Sequence, residues 1–234
     1  MIAAIARAAT IILVPLIQVA ATVLLWLAFM SPVMVFKDRL SLLTVNASTS
    51  GNGTDSIVFL GALGSCTQLD GQPPHCTPAS LSPKYNFSAL PSNAPVLSLS
   101  APATVTLVFL VLSLALSTLF VLTFAWTSFS DTMRENGDKS KNSPMNHITS
   151  WFGFLGLLIG FTAFIDLRIW FGKAASDFKA NAAAKASDGS AISATVGNGF
   201  YLVYVGYILH LIPVLIIFSK IASRHRKHIK MSVV

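Results

Sequence analysis

The sequence predicts a mainly α membrane protein, a four-transmembrane-helix bundle with a small, disulfide-clasped, β-rich first extracellular loop. Three observations predict it. Hydrophobic residues make up 53% of the chain and charged residues 11%, with a mean hydropathy of +0.68, a balance that excludes an ordinary soluble domain. Four stretches carry no charge: between Arg7 and Lys37, Lys84 and Asp131, Lys141 and Asp166, and Asp188 and Lys220. Each is long enough for the roughly 20 apolar residues that a spanning helix needs. The only two cysteines, Cys66 and Cys76, lie in the one long polar segment, together with N-glycosylation sequons at Asn46, Asn52 and Asn86. Two free thiols are the alternative, but a loop built for glycosylation belongs to an oxidising compartment and favours a disulfide.

The expected spans are 8–30, 102–127, 149–171 and 199–221, within a single tetraspan domain covering 1–234. They are separated by an extracellular loop at 31–101, a cytoplasmic loop at 128–148 and a second extracellular loop at 172–198, with a cytoplasmic tail at 222–234. The first span has an alternative reading as a cleaved signal peptide, because Arg7 precedes an apolar run. That run is long for such a segment, and Ala28-Phe-Met-Ser-Pro32 is a poor cleavage site. A net charge of +7 would suggest nucleic acid in a soluble chain; here it reports topology, and no nucleic-acid partner is expected. Arg7, the segment Arg134 to Lys141 and the tail from Lys220 to Lys230 hold nine of the sixteen Lys and Arg. The positive-inside rule then places both termini in the cytoplasm. The three sequons put loop one on the opposite side by a separate route.

Within loop one, Leu40 to Val45 and Ser56 to Leu60 are short aliphatic and β-branched runs either side of a Ser-, Asn- and Gly-rich turn, a strand, turn, strand pattern. Two strands are marginal alone, so a third is expected near Thr67 to Leu69 or Val96 to Leu99, with Pro73-Pro74 bending the chain so that the cysteines meet. Closing so short a ring contributes about 2 to 3 kcal/mol in the chain-entropy model. Gly61 and Gly64, beside Cys66, suit a tight backbone crossing. In loop two, Ala175 to Ala186 is rich in helix formers, so the third helix is expected to continue past the membrane. Ser187-Asp-Gly-Ser breaks it, and Gly197-Asn-Gly199 begins the fourth.

Polar residues inside spans raise a functional question. Pro15 removes a backbone donor from the first helix. Gln18 in that helix and His210 in the fourth are expected to face other helices as hydrogen-bonding residues. Asp166 lies about 24 Å along the third helix from Ser150, near the outer interface, where Arg168 can snorkel to headgroups. Structural anchoring is the favoured role for both. The spacing Gly156-x-x-x-Gly160 permits close helix approach. Trp126 and Trp151 are expected at the inner interface, and Trp26 and Trp170 at the outer. The tail residues Lys220, Arg224, Arg226, Lys227 and Lys230 form a basic cluster suited to anionic inner-leaflet lipids, and equally to fixing topology.

No catalytic constellation is present. There is no phosphate-cradling glycine loop ahead of a lysine, no supported Ser-His-Asp set, and no metal-ligand spacing beyond the isolated pair His75-Cys76. The sequence argues against an enzyme and calls for no cofactor or metal.

With four spans, a long first loop and Gly61-Ala-Leu-Gly-Ser-Cys66 followed by Cys76, the chain resembles the claudin-like tetraspan superfamily, marked by Gly-Leu-Trp-x-x-Cys and a second cysteine about ten residues on. Ala62 and Leu63 replace the Leu and Trp of that pattern. The fit is closer to the fungal Sur/PalI family, with Gly-x-aromatic-Gly-Tyr-Cys, a second Cys followed by Ser or Thr, and a downstream Tyr. Gly61, Gly64, Cys66, Cys76, Thr77 and Tyr85 match, while Leu63 and Ser65 depart; Gly199-Phe-Tyr-Leu also looks like the family. The resemblance covers the architecture of most of the chain and about 25 residues of motif. It implies a plasma-membrane scaffold that assists an ambient-pH sensor or populates cortical domains linked to eisosomes and cell-wall integrity, and the sequons make it a glycoprotein. The long cytoplasmic tail of many PalI proteins has no counterpart in this sequence.

The expected function is therefore a non-enzymatic scaffold or accessory protein, whose partners are other membrane proteins or further copies of itself. One alternative is a transporter or channel subunit with Gln18, Asp166, Arg168 and His210 along its path, including a claudin-like protein of fungal mating and calcium influx. The other is cell adhesion through loop one.

Overall fold

The computed structural model describes residues 2–37, 39–48, 56–90, 104–133, 143–185 and 191–232. Along the chain lie α1 (Ile2–Met30), β1 (Leu43–Ser48), β2 (Ser56–Leu60), β3 (Ser65–Leu69), β4 (His75–Cys76), α2 (Thr104–Met133), α3 (Ser143–Lys185), β5 (Ala191–Val196) and α4 (Gly199–Ser232). Among the described residues, four helices are long and apolar enough to cross a membrane, over Ile12–Met30, Thr104–Ser128, His147–Asn181 and Gly199–Ser219. A helix satisfies its own backbone within the segment, which is why uncharged apolar runs take this form in lipid. Ile12, Leu16, Val108, Leu122, Ile169, Ile208 and Leu215 leave their side chains exposed, as suits helices surrounded by hydrocarbon. α1 and α4 run through Pro15 and Pro213. The helices outrun the expected spans: α2 reaches Met133, α3 starts at Ser143 and extends to Lys185, and α4 carries the tail to Ser232.

The chain divides into two compact units. The first comprises Met1–Leu25, Val111–Phe161 and Tyr204–Val234. Its apolar centre is Val14, Phe120, Phe124, Val214 and Ile217, with Phe152 and Ile216 packed against it. The glycines of α3 bring that helix close to its neighbours. A Cβ on Gly160 would run into the Ser113 and Tyr207 hydroxyls, and one on Gly153 would lie 2.8 Å from the Phe120 ring. Ser113 Oγ uses the proximity to donate to the Gly156 carbonyl at 2.8 Å. The Gly156-x-x-x-Gly160 spacing thus serves contacts with α2 and α4.

The second unit comprises Trp26–Leu110 and Thr162–Val203. At its heart is a five-stranded antiparallel sheet in the order β4-β3-β2-β1-β5. In β1 the alternation is clean: Leu43, Val45 and Ala47 are buried while Asn46 is exposed, the pattern of a strand with one covered face. The expected third strand is β3, which pairs Val58 with Thr67 and Phe59 with Cys66; Val96 to Leu99 lie outside the described residues. The sheet also takes a strand from loop two. β5 pairs along the free side of β1, with Leu43 opposite Val196 and Ser48 opposite Ala191, and Gly197 and Gly199 continue the ladder by donating to the Leu42 and Ser41 carbonyls, each at 2.9 Å. This unit's interior includes Leu42, Leu60, Leu107, Leu110, Leu167, Phe171, Phe178 and Phe200.

The bend between β3 and β4 is not made by Pro73-Pro74. Gln72 N–H donates to the Leu69 carbonyl at 2.9 Å and Gly71 takes φ of 72°, so the reversal is a turn over Asp70-Gly71. Glycine meets the left-handed geometry there without a Cβ clash, and the prolines lie on the extended return toward β4.

Candidate functional site

The family-like residues of loop one come together around the end of β3. Cys66 and Cys76 are direct partners across the β3–β4 pair and are joined by a disulfide, with Cα atoms 4.0 Å apart. Ser65, which departs from the family pattern, is the hub of the polar contacts. Its N–H donates to Thr77 Oγ1 at 3.0 Å, its carbonyl accepts from Thr77 N–H at 2.9 Å and from Thr77 Oγ1 at 3.2 Å, and its Oγ accepts from Asn86 N–H at 2.9 Å. Thr77 is thereby fixed one residue beyond the disulfide. Gly64 makes room for it, since a Cβ there would sit 2.6 Å from Thr77 Oγ1. Gly61 packs on the segment that leaves α1, where a Cβ would overlap the Ser31 carbonyl oxygen and the Pro32 ring. The disulfide sulfur of Cys66 lies 3.6 Å from the Pro32 carbonyl oxygen. The clasp is therefore seated directly on the segment that leaves α1.

Tyr85 closes this arrangement. Its hydroxyl donates to the Gly61 carbonyl at 3.1 Å, and burial pushes the phenol above its ordinary range. A buried phenol favours the protonated form, so its contribution to stability is complete below the unfolded value of about 10 and falls as pH rises beyond it. Tyr85→Phe is expected to cost about 0.5 to 1.5 kcal/mol. It should also flatten the alkaline limb of the stability profile, both read by thermal unfolding from pH 7 to 11.

Gln18 and His210 form a second polar centre, in the first unit. Both are fully buried, and Gln18 Nε2 lies 2.8 Å from His210 Nδ1. His210 Nε2 faces the Gly153 carbonyl at 3.3 Å. A carbonyl can only accept, so Nε2 carries the proton and Nδ1 accepts from the Gln18 amide. The second amide hydrogen of Gln18 goes to Thr22 Oγ1 at 3.3 Å, and the Thr22 hydroxyl donates back to the Gln18 backbone carbonyl at 3.0 Å. The ring also packs on Phe120, with centroids 5.4 Å apart. A neutral histidine thus joins α1, α3 and α4.

Asp166 and Arg168 have partners of their own in the second unit. Thr106 Oγ1 donates to Asp166 Oδ2 at 2.9 Å, and the Arg168 guanidinium stands 5.3 Å from the centre of the Phe200 ring, a cation–π distance. Trp126 and Trp151 are exposed, as residues at a lipid interface should be, whereas Trp26 and Trp170 are half-buried.

Of the sequons, Asn46 is exposed on the outer face of β1 and Asn86 is exposed beyond β4. Asn86 Oδ1 accepts from Ser88 N–H at 2.9 Å, so the sequon is already curled into an Asx turn. Asn52 lies outside the described residues. At Lys220, Arg224, Arg226, Lys227 and Lys230 only the backbone is described, as part of α4. Among the described residues, no group of three His, Cys, Asp or Glu is placed to hold a metal.

Sequence reasoning singled out the two cysteines, the glycines, Thr77 and Tyr85, and also Gln18 and His210 as separate polar residues. It passed over Ser65, Thr106 and β5. For β5 a signal existed: Ile192, Ala194 and Val196 alternate with Ser193 and Thr195, the period-two pattern of a half-buried strand. Ser65 carried none, because its partners lie 12 and 21 residues away. No protein-family model matches this chain, and no curated protein matches it.

Proposed function

We propose that the protein is a non-enzymatic, Sur/PalI-like tetraspan scaffold or accessory protein of the plasma membrane. In this reading both termini are cytoplasmic, the sheet is extracellular, and the protein organises membrane domains or assists a membrane sensor of ambient pH or cell-wall state. One observation carries it: both loops that leave the spans on the sheet side are tied into a single five-stranded sheet, clasped by a disulfide. A module so constrained presents a fixed surface to a partner without ordering cost on binding. Its exposed positions include Asn46, Ser193 and Thr195. The polar side chains of the spans also favour it, since Gln18 and His210 engage each other and Asp166 and Arg168 are engaged by Thr106 and Phe200. The basic tail contacts anionic lipids of the inner leaflet.

Proximity labelling in the native cell tests the reading, with the labelling enzyme fused to the sheet side. A defined set of membrane proteins should be labelled by the wild type and depleted when Ser193→Lys and Thr195→Lys are combined. Solute or ion flux through the purified protein in liposomes, with an unchanged labelled set in the variant, would replace this reading with the transporter or channel subunit. Clustering of cells that display the protein, abolished by the same variant, would replace it with adhesion.

The topology has its own check. Treatment with a glycan-cleaving amidase should increase gel mobility of the protein from a native eukaryotic host. Asn46→Gln and Asn86→Gln should each remove one step of that shift, and no shift at all would place loop one on the cytoplasmic side.

A further inference from the structure

The segment between α1 and β1 holds two large apolar side chains out of the fold. Met34 is 56% exposed and Phe36 49% exposed, although Val33 between Met34 and the span is buried. Phe36 is also the described residue outside glycine with a positive φ, at 54°, a conformation that a bulky side chain adopts only when its surroundings enforce it. Those surroundings are visible. The Phe36 carbonyl accepts from both Arg39 N–H at 3.2 Å and Leu40 N–H at 3.3 Å. The segment's ends are held together by the Ser31 hydroxyl donating to the Leu40 carbonyl. Its start is held by Gly61 packed on Ser31 and Pro32. The fold therefore spends backbone strain to direct a phenyl ring outward.

The apolar span of α1 ends at Met30, and Met34 N–H still donates to the Met30 carbonyl at 3.0 Å. Four residues of helical advance place Met34 about 6 Å past the span end, the depth of the headgroup and acyl boundary. Lys37-Asp38-Arg39 follow, with Lys37 and Arg39 exposed. Two apolar side chains followed by the exposed Lys37, one turn beyond a span, match the chemistry of an interfacial lipid anchor: ring and thioether among upper acyl carbons, ammonium at phosphates.

We infer that Met34 and Phe36 form a wedge that inserts into the bilayer leaflet on the sheet side, with Lys37 facing lipid phosphates, so that the clasped sheet rests on the membrane through this segment. The occupant is phospholipid. Continuity with the span and the adjacent Lys37 ammonium favour it over a second protein, which a surface this close to the bilayer would meet only by displacing lipid.

Site-directed spin labelling of the full chain in phosphatidylcholine nanodiscs tests this. Cys66 and Cys76 are joined, so Met34→Cys and Phe36→Cys each offer one reactive thiol, and Asp70→Cys, at an exposed turn, supplies the aqueous reference. Labels at 34 and 36 should collide with oxygen, and be shielded from a water-soluble nickel chelate, to give an accessibility ratio several-fold above that at 70. A Lys37→Cys label should fall between them. Equal nickel access at 34, 36 and 70 would overturn the inference. So would labels shielded from both quenchers, which report a protein contact. Met34→Cys does not touch the strained residue, so the experiment stands even where Phe36→Cys fails to fold, as judged by an intact disulfide and a monodisperse elution profile.

Discussion

Replacing both clasp cysteines, as Cys66→Ala with Cys76→Ala, is expected to destabilise the sheet-bearing unit by about 2 to 5 kcal/mol. The bond closes a ring of sequence separation 10, so the unfolded chain is constrained only modestly. The native consequences add to this. Cys66 is fully buried, and its alanine replacement leaves a void against Pro32. Loss of the bond also frees β4, a strand of two residues too short to hold by its ladder alone. Thr77 and Ser65 would then lose their fixed spacing. The expected result is earlier cleavage of loop one by a protease added on the sheet side, and a lower unfolding midpoint for that unit. Helix content should stay unchanged, because the spans draw their stability from lipid and helix packing. A double variant with wild-type protease resistance would show that the sheet is held by other means.

The second result concerns the buried pair in the spans. His210→Leu keeps most of the volume but leaves the Gln18 amide facing an apolar side chain, which is expected to cost about 1 to 3 kcal/mol for an unsatisfied buried group. Gln18→Leu alone strands His210 Nδ1 in the same way. Combining the two removes both polar partners, together with the buried Gln18 Oε1 that has no partner among the described residues, and should recover most of the loss, since replacing both members of a polar pair by apolar groups of similar shape is nearly neutral. The signature is a coupling energy of about 1 kcal/mol in a double-mutant cycle, measured by unfolding in mixed micelles. Additive losses would mean that the two side chains stabilise the bundle independently, through packing alone. Full activity of the double variant in the partner-labelling experiment would also separate this structural pair from any transport role.

The helices were legible from the chain because the bilayer imposes a local rule. A span needs an uninterrupted apolar run whose backbone is satisfied within the segment, and such runs are read residue by residue. The same holds for β1, β2 and the third strand near Thr67, where short β-branched runs sit between turn residues. The glycines beside Cys66 were recognisable as close approaches, but not what they approach. Ser31 and Pro32 for Gly61, and Thr77 for Gly64, are set by chain segments that meet only in the folded unit.

The amino-acid order alone determined the number of spans, the two-cysteine clasp as the favoured pairing, and the polar residues that a helix must turn inward, because each follows from local composition and solvent. Tertiary structure decided which partners those residues take. Gln18 meets His210 across 192 positions, β5 crosses from the second loop to complete the sheet on β1, and Ser65 becomes a hub through residues that no local pattern connects to it. It also decided that Phe36 turns outward, since a positive φ at a phenylalanine is held by hydrogen bonds and packing around it rather than by its own preference. Long-range pairing costs loop-closure entropy before it returns any contact, so its outcome rests on the sum of many distant contacts and is not written at any single position.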